Sequence, residues 1–272
     1  MSDAVAARGA PPCVACGAPL ACHLQHWLLR CPRCGLRAST LAADTVDAHT
    51  PGAWDARNAR AFTALRDATA RRLLDELATL MPLAGKRLLD VGCGPAWFIA
   101  AARTRGLEAL GLEPHAPTAA EARARGLEVL TGRFPDDLPA GVFDVVTFND
   151  VFEHLGAPNG AIASLRGCLA QDGVVVVNAP SRGGMFYRVA ELLARAGWTA
   201  PLERLWQRGF VSPHLFYFDA ASLDALFGRA GFTLRRRFSL PTLARAGLWG
   251  RIRAGGRLPL PLAALVWGGC QL

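Results

Sequence analysis

A short glycine turn directly after an apolar segment constrains the fold of this chain most strongly. Residues 88–91 are apolar apart from Asp90, and Gly92-Cys93-Gly94 follows at once. Glycine adopts backbone conformations that other residues avoid, so a strand that ends in such a turn and continues as a helix lets a ligand approach the backbone closely. The pattern predicts the first strand–turn–helix unit of a parallel α/β sheet.

The residues after this turn alternate between apolar segments and helical patterns. We predict strands at 87–91, 108–112, 127–131, 142–149 and 174–178, with helices at 96–105, 117–125 and 162–169 between them. Continuous apolar segments are typical of parallel strands that are buried on both faces. A helix over 58–80, ended by Pro82, precedes the sheet. The expected fold class is α/β, a doubly wound and mostly parallel sheet of the seven-stranded type whose last strand is short or missing.

An acidic residue follows the second predicted strand. Glu113 lies 113 − 90 = 23 residues after Asp90, where a carboxylate can accept hydrogen bonds from both ribose hydroxyls of an adenosine. NAD fits this turn poorly, because Trp97 stands where the G-x-G-x-x-G fingerprint has its last glycine. The negative charge of Asp90 beside the turn also suits a cationic ligand better than a diphosphate.

Several motifs in order resemble those of class I S-adenosylmethionine-dependent methyltransferases. Residues 88–96 are similar to the first motif of that family, 143–146 to its fourth strand, 152–155 to its E-H-hydrophobic segment and 169–180 to its fifth strand. The resemblance covers residues 60–238. It implies an S-adenosylmethionine site that includes Asp90, with Gly92 and Gly94 along the methionyl part of the cofactor. Glu113 would hold the ribose.

The same resemblance extends to the far end of the cofactor site, with two departures. Asn149, at the end of the fourth strand, would face the sulfonium. Ala96 replaces the third glycine of the first motif, and no acid follows the third strand where the family often has one for adenine. Phe134 offers two interpretations there, a ring that stacks on adenine or a residue of the core.

Four cysteines in the first forty residues form a second pattern. Cys13-x-x-Cys16-Gly17 and Cys31-x-x-Cys34-Gly35 are matched C-x-x-C-G turns separated by fourteen residues. Four thiolates give the tetrahedral environment that structural zinc favours, and two matched turns argue against a redox dithiol. The arrangement resembles the zinc ribbon that precedes many bacterial methyltransferases. We expect a structural zinc ion, and we expect Cys22, His23 and His26 in the spacer not to bind it.

Two histidines are candidates for the chemical step. His154 follows the fourth predicted strand, and His214 lies in an aromatic segment; either could act as general base, since imidazole titrates near neutral pH. The pattern Asp150-x-x-Glu153-His154 is also similar to the E-x-x-E-H of ubiquinone-biosynthesis O-methyltransferases, where a divalent cation assists the acceptor hydroxyl. A structural interpretation, in which Glu153 and His154 brace the following helix, stays open.

These patterns divide the chain into five parts. We predict a four-cysteine zinc-ribbon-like module at 1–40, a linker at 41–57, the methyltransferase domain at 58–240 with an insert at 181–213, and a C-terminal extension at 241–272. The aromatic residues of the insert either line an acceptor pocket or pack as the core of an extra helical pair. Arg235-Arg236-Arg237 is expected to be a solvated edge of the sixth strand.

The composition of the chain bears on which partners it binds and in which cellular compartment it works. The net charge is +8, but Lys86 is the only lysine among arginines, as in GC-rich genomes, so we expect no nucleic-acid partner. The longest apolar segment, 258–267, is too short to span a bilayer, and no export signal is visible, which predicts a cytoplasmic protein. The oligomeric state stays open.

Three functions remain. The main hypothesis is methyl transfer to oxygen or carbon of a small molecule, such as a sugar, a quinone-like compound or a secondary metabolite. A methyltransferase for RNA or protein is the second, although no N-P-P-Y-type tetrapeptide of amino-group methyltransferases follows the fourth strand. The third is a non-catalytic protein that binds the cofactor or a partner.

Overall fold

The computed structural model describes residues 10–42 and 56–240, and for residues 56–62 the backbone only. The strands in this part of the chain are β1 (Ala21–Cys22), β2 (Leu28–Arg30), β3 (Arg37–Ser39), β4 (Arg87–Val91), β5 (Glu108–Glu113), β6 (Val129–Thr131), β7 (Phe143–Asn149), β8 (Leu169–Asn178) and β9 (Phe216–Tyr217). The helices are α1 (Ala56–Ala78), α2 (Trp97–Thr104), α3 (Ala116–Ala124), α4 (Pro158–Cys168), α5 (Met185–Arg195), α6 (Ala200–Leu205) and α7 (Ala220–Arg229), with a 3-10 turn at Phe152–His154.

The larger sheet has five parallel strands in the order β6-β5-β4-β7-β8. The chain moves outward from β4 in one direction, then returns to continue on the other side of β4 with β7. The carboxyl ends of β4 and β7 therefore form the switch point at which ligands of open α/β sheets bind. The predicted doubly wound parallel sheet is confirmed, but the seven-strand count is not, since five strands pair within the described residues.

The core lies on both faces of this sheet, as the continuous apolar strands predict. Leu88 and Val145 face one cluster, which helices α1, α2 and α3 cover. Their neighbours Leu89 and Val146 face the opposite cluster. Successive side chains of a strand point to opposite faces, so both halves of each apolar segment are buried, and the carboxyl-terminal edge is left as the place where polar groups collect.

A smaller antiparallel sheet joins the N-terminal residues to the rest of the chain. Its order is β1-β2-β3-β9, and β3 pairs with β9 through Arg37 with Tyr217 and Ala38 with Phe216. Because β9 follows β8 by almost forty residues, the cysteine-rich residues are part of the same folded body as the methyltransferase-like sheet. This junction was not predicted from the sequence.

One predicted strand is absent. Residues 232–240 contain no strand, although the sequence led us to expect the sixth strand there. Side chains hold this segment instead: Arg236 pairs with Glu76 of α1, the guanidinium of Arg72 lies over Phe238, and Phe238 and Leu240 contact the core. Arg235, Arg236 and Arg237 are exposed, as expected of a solvated segment.

Most other boundaries differ from the predictions by a few residues. Strand β8 begins five residues early, at Leu169, and a register irregularity against β7 between Phe143 and Val145 accommodates the extra length. Much of the proposed linker and the whole extension at 241–272 lie outside the described residues. Among the described helices, none is long and apolar enough to cross a membrane.

Candidate functional site

One cleft runs along the carboxyl ends of β4, β5 and β7 and continues to helix α5. The glycine turn forms its floor. Gly92 and Gly94 have φ angles of 65° and 53°. A Cβ at Gly92 would lie 2.6 Å from Val151 Cγ2, whereas a Cβ at Gly94 would project into open space. The first glycine thus permits close packing, and the second leaves room beside the backbone for a ligand.

The third position of the glycine motif keeps the backbone conformation but not the residue. Ala96 has φ 61° and is fully buried at the start of α2. A left-handed backbone conformation costs a residue with a Cβ roughly 1–2 kcal/mol. The alanine therefore keeps the shape of the turn but lowers the stability of the folded protein.

Glu113 is fixed in place at the end of β5. Its Oε2 accepts a hydrogen bond from the Gly94 amide at 2.8 Å, and its Oε1 accepts one from the His115 amide at 2.9 Å. The side chain is 8% exposed and lines the cleft. Each carboxylate oxygen keeps a further lone pair, so the group can accept two hydroxyl hydrogen bonds without moving.

Asp90 places a buried negative charge under the turn. It is 2% exposed, and its Oδ1 accepts hydrogen bonds from Thr147 Oγ1 at 2.6 Å and Asn149 Nδ2 at 3.0 Å. Burial raises the pKa of Asp90 to about 6, with a further rise from nearby Glu113, although these two hydrogen bonds oppose the change. Asn149 therefore contacts Asp90 directly, and its predicted place at the sulfonium stays a prediction.

Arg66 is a cleft residue that sequence reasoning missed. The guanidinium of this α1 residue lies 3.4 Å from the ring centroid of Trp97, and burial lowers the pKa of Arg66 to about 10, partly offset by Asp150. The available signal was its spacing: Arg66 lies four residues after Phe62 and seven before Leu73, on the apolar face of the predicted helix. An arginine on an apolar helix face indicates an anionic group nearby, and within the structure Asp150 supplies a negative charge that acts on Arg66.

Phe134 has properties of both interpretations. It is 6% exposed and packs edge-on against Phe148, with ring centroids 5.3 Å apart. It also belongs to the wall of the cleft. The core packing is therefore observed, and the contact with adenine stays a prediction.

The two candidate histidines come together from distant parts of the sequence. The rings of His154 and His214 are 4.8 Å apart, and His214 Nε2 lies 4.0 Å from Glu153 Oε1. One ligand atom from each of Glu153, His154 and His214 falls within 4.8 Å of the others. The structure thus adds His214 to Glu153 and His154 as the group of possible metal ligands, while Asp150 lies close enough for its negative charge to raise the pKa of Glu153.

Hydrogen bonds assign the tautomers of these histidines. The Pro213 carbonyl oxygen lies 2.9 Å from His154 Nδ1. Because a carbonyl can only accept, Nδ1 of His154 carries the proton and Nε2 keeps a lone pair. The amide nitrogen of Gln207 lies 3.0 Å from His214 Nε2 and can only donate, so Nε2 of His214 accepts.

Burial shifts the pKa values of this group toward the neutral forms. Desolvation lowers the pKa of His154, and it lowers that of His214 to about 3. Burial also raises the pKa of Glu153 well above its ordinary value. Within the described part of the chain, neither carboxyl oxygen of Glu153 has a hydrogen-bond partner. Such orphaned buried oxygens indicate a place where a ligand or ion supplies the missing contacts.

The four cysteines converge as their spacing predicts. Sγ of Cys13 lies 3.5 Å from Sγ of Cys34, and the Cys16 and Cys31 sulfurs are 3.4 Å apart. A tetrahedral zinc site with Zn–S bonds of about 2.3 Å has sulfurs about 3.8 Å apart, so the four residues fit the ion. The glycines after the turns, Gly17 and Gly35, have φ angles of 77° and 78°.

The cysteine module, residues 10–42, contacts both the insert and the histidine group. Trp27 packs edge-on against Trp206 of the insert at 5.9 Å, and His23 contacts Glu191 at 2.7 Å instead of joining the sulfurs. Ser39 Oγ donates to the carbonyl of His214, while the amide of Leu215 donates to the carbonyl of Glu153. Strand β3 is thus a direct support of the residues that place His214 beside Glu153.

The aromatic residues of the insert divide between the two interpretations. Tyr187 and Trp206 are almost fully buried and pack with Trp27, as an extra helical core would. Met185, Phe186 and Phe210 are exposed and border the cleft. Core packing is therefore observed for the first pair only.

Comparisons with known proteins agree with this geometry. The family model described as "Methyltransferase domain" matches residues 60–236. An uncharacterized methyltransferase of Mycobacterium sp. (strain JLS) is 37% identical over 107 residues, which cover 37% of this chain and 42% of that protein. The ubiquinone biosynthesis O-methyltransferase of Psychrobacter arcticus is 31% identical over 166 residues, 56% of this chain and 61% of the relative. The chain thus spans about half the length of these relatives.

A solved structure gives the same fold. A chain of the complex between the Haloferax volcanii Trm112 methyltransferase activator and a methyltransferase matches with a TM-score of 0.52 and 21% identity, covering 70% of this chain and 82% of that one. The likeness concerns the fold alone. The family match, however, extends over more than half of the chain and includes the glycine turn and Glu113: the chain belongs to the methyltransferase-domain family.

Proposed function

We propose that this protein transfers a methyl group from S-adenosylmethionine to an oxygen or carbon atom of a small-molecule acceptor. The observation that carries the proposal is the Glu113 carboxylate, which the amides of Gly94 and His115 hold at the glycine turn beside the buried Asp90. A fixed acceptor of hydroxyl hydrogen bonds next to a buried negative charge suits a cationic adenosine derivative.

Three side chains account for the cofactor's polar groups in this proposal. Glu113 accepts from the ribose hydroxyls. Asp90 attracts the cationic methionyl part, which relieves the cost of its own burial. Arg66, on the wall of the same cleft, pairs with the methionyl carboxylate. Phe134 stacks on the adenine, and Asn149 orients Asp90 toward the sulfonium end.

The acceptor loses its proton to the histidine group. When bound, S-adenosylmethionine supplies an electrophilic methyl group on a positively charged sulfur. His154 keeps a free Nε2 lone pair because Pro213 fixes its Nδ1 proton. The lowered pKa of His154 leaves its imidazole unprotonated at neutral pH, so the Nε2 lone pair is available to take the acceptor's proton. His214 packs against the ring of His154 and holds it in position.

A divalent cation is an alternative occupant of this group. Glu153, His154 and His214 offer three ligand atoms if His214 Nε2 exchanges its hydrogen bond from Gln207 for the ion, and an ion would satisfy the orphaned oxygens of Glu153. A bound cation would also keep Glu153 ionised. It would orient an acceptor hydroxyl and lower its pKa, which is the role suggested by the similar motif of the ubiquinone-biosynthesis enzymes.

A small acceptor suits the surroundings of the cleft better than a polymer does. The cysteine module buries Trp27 and Leu28 against the insert, so these residues support the acceptor end and are not free to grip RNA. The names of the relatives, which include ubiquinone biosynthesis O-methyltransferases, support an oxygen acceptor. Zinc at Cys13, Cys16, Cys31 and Cys34 has a structural role in this proposal.

Calorimetric titration of the zinc-loaded protein with S-adenosylmethionine, and separately with NAD, tests the cofactor. We expect micromolar binding of the methyl donor alone. Replacing Glu113 with alanine removes two charge-assisted hydrogen bonds of roughly 1.5–3 kcal/mol each, so affinity should fall on the order of a hundredfold or more.

Glu108→Ala is the matched control. Glu108 is exposed at the opposite end of the same strand, β5, and its removal should leave affinity unchanged. Retained affinity in a folded Glu113→Ala protein, or absence of donor binding to the wild type, would refute the proposed cofactor site.

A further inference from the structure

Helix α5 of the insert exposes a continuous apolar face. Met185, Val189 and Leu192 are spaced by four and three residues, so they form one stripe on the helix. They are 67%, 51% and 67% exposed. The opposite face, with Tyr187, Ala190 and Ala194, is buried against the protein. Within the described residues, these three apolar side chains of α5 thus face away from the protein core, which the opposite face of the helix contacts.

Aromatic side chains of the same insert are also exposed. Trp198, just after α5, is 60% exposed, and Phe186 and Phe210 are 42% and 47% exposed. Isolated exposed apolar residues are common in proteins, but Met185, Val189 and Leu192 form a contiguous stripe on one helix, and such a stripe marks an interaction site. We call Met185, Phe186, Val189, Leu192, Trp198 and Phe210 the α5 surface.

Arginines border the α5 surface on one side. Arg188 and Arg195 lie seven residues apart, almost two helical turns, and therefore on one line beside the apolar stripe. Both are exposed. Residues 181–213 contain five arginines and two glutamates. Both glutamates are already in ion pairs: Glu191 with His23, with Arg37 and, at 3.6 Å, with the half-exposed Arg195, and Glu203 with Arg208.

An apolar stripe flanked by arginines suits a partner that is apolar inside and negatively charged at its surface. We propose that the α5 surface docks the protein on an anionic lipid bilayer, with the apolar stripe in the headgroup boundary and Arg188 and Arg195 against lipid phosphates. Helices that lie in a bilayer interface combine an apolar face, tryptophan or phenylalanine, and flanking basic residues. A second copy of the chain fits less well, because the insert carries five arginines against two glutamates that are both in ion pairs, so a two-fold contact of this surface with itself would bring like charges together.

The α5 surface lies next to the cleft, so docking on a bilayer would affect how an acceptor reaches the cleft. Met185, Phe186 and Phe210 also border the cleft that contains the histidine group. A docked protein would thus open the acceptor end of its cleft toward the bilayer, where an apolar acceptor could enter without crossing water. Docking itself does not depend on which acceptor is methylated, or on methyl transfer at all.

Sedimentation with lipid vesicles tests the proposal on the full-length, zinc-loaded protein. We expect binding to vesicles of equal parts phosphatidylcholine and phosphatidylglycerol, and weak or no binding to phosphatidylcholine alone. The variant Met185→Gln/Val189→Gln/Leu192→Gln should lose affinity at least tenfold while its melting temperature is unchanged. Replacing Arg188 and Arg195 with glutamine should cost about fivefold per charge at low ionic strength.

Leu130→Gln/Val142→Gln is the matched control, since both side chains are exposed and apolar but lie on strand β6 and just before β7, away from α5. It should bind as the wild type does. Three results would overturn the proposal: no binding of the wild type to anionic vesicles, equal binding of the triple glutamine variant, or a wild-type dimer in solution that this variant makes monomeric.

Discussion

The buried Asp90 predicts that cofactor binding and stability oppose each other in this protein. Asp90→Asn keeps an oxygen that can accept from Thr147 and Asn149, but it removes the buried negative charge. The folded protein without ligand should therefore become more stable at neutral pH. Its affinity for a cationic cofactor should fall, because the attraction to the methionyl part is lost.

The size of the gain follows from the pKa. The pKa of Asp90 is raised from an ordinary value of 3.8 to about 6, a difference of about two pKa units or about 3 kcal/mol. A raised carboxyl pKa means that the folded state holds the proton more tightly than the unfolded state does. The wild type consequently loses stability as the pH rises from about 4 to about 6 and carries the full cost above that range.

Urea denaturation of both proteins between pH 4 and pH 8 measures this effect. The free energy of unfolding of Asp90→Asn minus that of the wild type should grow by about 2.5 kcal/mol across this range, because the carboxyl of the unfolded chain is already partly ionised at pH 4. Carboxyl groups with lowered pKa values, such as Asp144 and Asp219, titrate in both proteins and cancel in the difference.

Calorimetry supplies the second half of the test. S-adenosylmethionine should bind wild type more tightly as the pH rises through about 6, since the ionised Asp90 is the binding form, and this dependence should vanish in the variant. The reasoning would be refuted by a stability difference that stays constant from pH 4 to pH 8. An unchanged cofactor affinity in Asp90→Asn would equally contradict it.

Two further predictions concern the metal groups. Chelating zinc, or replacing Cys16 with serine, should lower the melting temperature of the whole protein and not only unfold the cysteine module, because β3 pairs with β9. The control is Cys22→Ser, at an exposed cysteine outside the sulfur cluster. It should change neither the metal content nor the melting temperature. If a cation occupies the Glu153–His154–His214 group, added Mg²⁺ or Mn²⁺ should raise turnover. His214→Gln should weaken that response without changing cofactor affinity. If turnover is identical after these ions have been removed completely, the cation is excluded and His154 is the remaining base.

Much of the parallel sheet could be predicted because its signals are local. The apolar segment 88–91 and the turn after it specify β4 without reference to the rest of the chain, and β5 and β7 follow the same way. The absent sixth strand marks the limit of this approach. Its apolar residues suit a strand, but Arg236 and Phe238 found partners on helix α1, and no sequence pattern reports which long-range contact wins.

The candidate site divides in the same manner. Glu113 and Gly94 were predictable, since both belong to one strand–turn–helix pattern. The contact of His214 with Glu153 was not, because sixty residues separate them and the register of β3 on β9 brings them together. Arg66 was missed for another reason. An arginine within the apolar face of a predicted helix interrupts the amphipathic pattern, and its role becomes clear only from its place on the wall of the cleft.

These differences suggest that the two ends of the cleft are built under separate constraints. In the proposed function, the cofactor end depends on the switch point of the parallel sheet, where the glycine turn and Glu113 would hold the cofactor. The acceptor end depends on residues from the cysteine module, the segment after β7 and the insert, held together by β3–β9 pairing and by Trp27 against Trp206. Substitutions in the module or insert can therefore reshape the acceptor end while Glu113 and Gly94 keep their geometry. The four cysteines belong to the acceptor end in this division, so removing a zinc ion bound to them should disturb the His154–His214 contact before it disturbs cofactor binding.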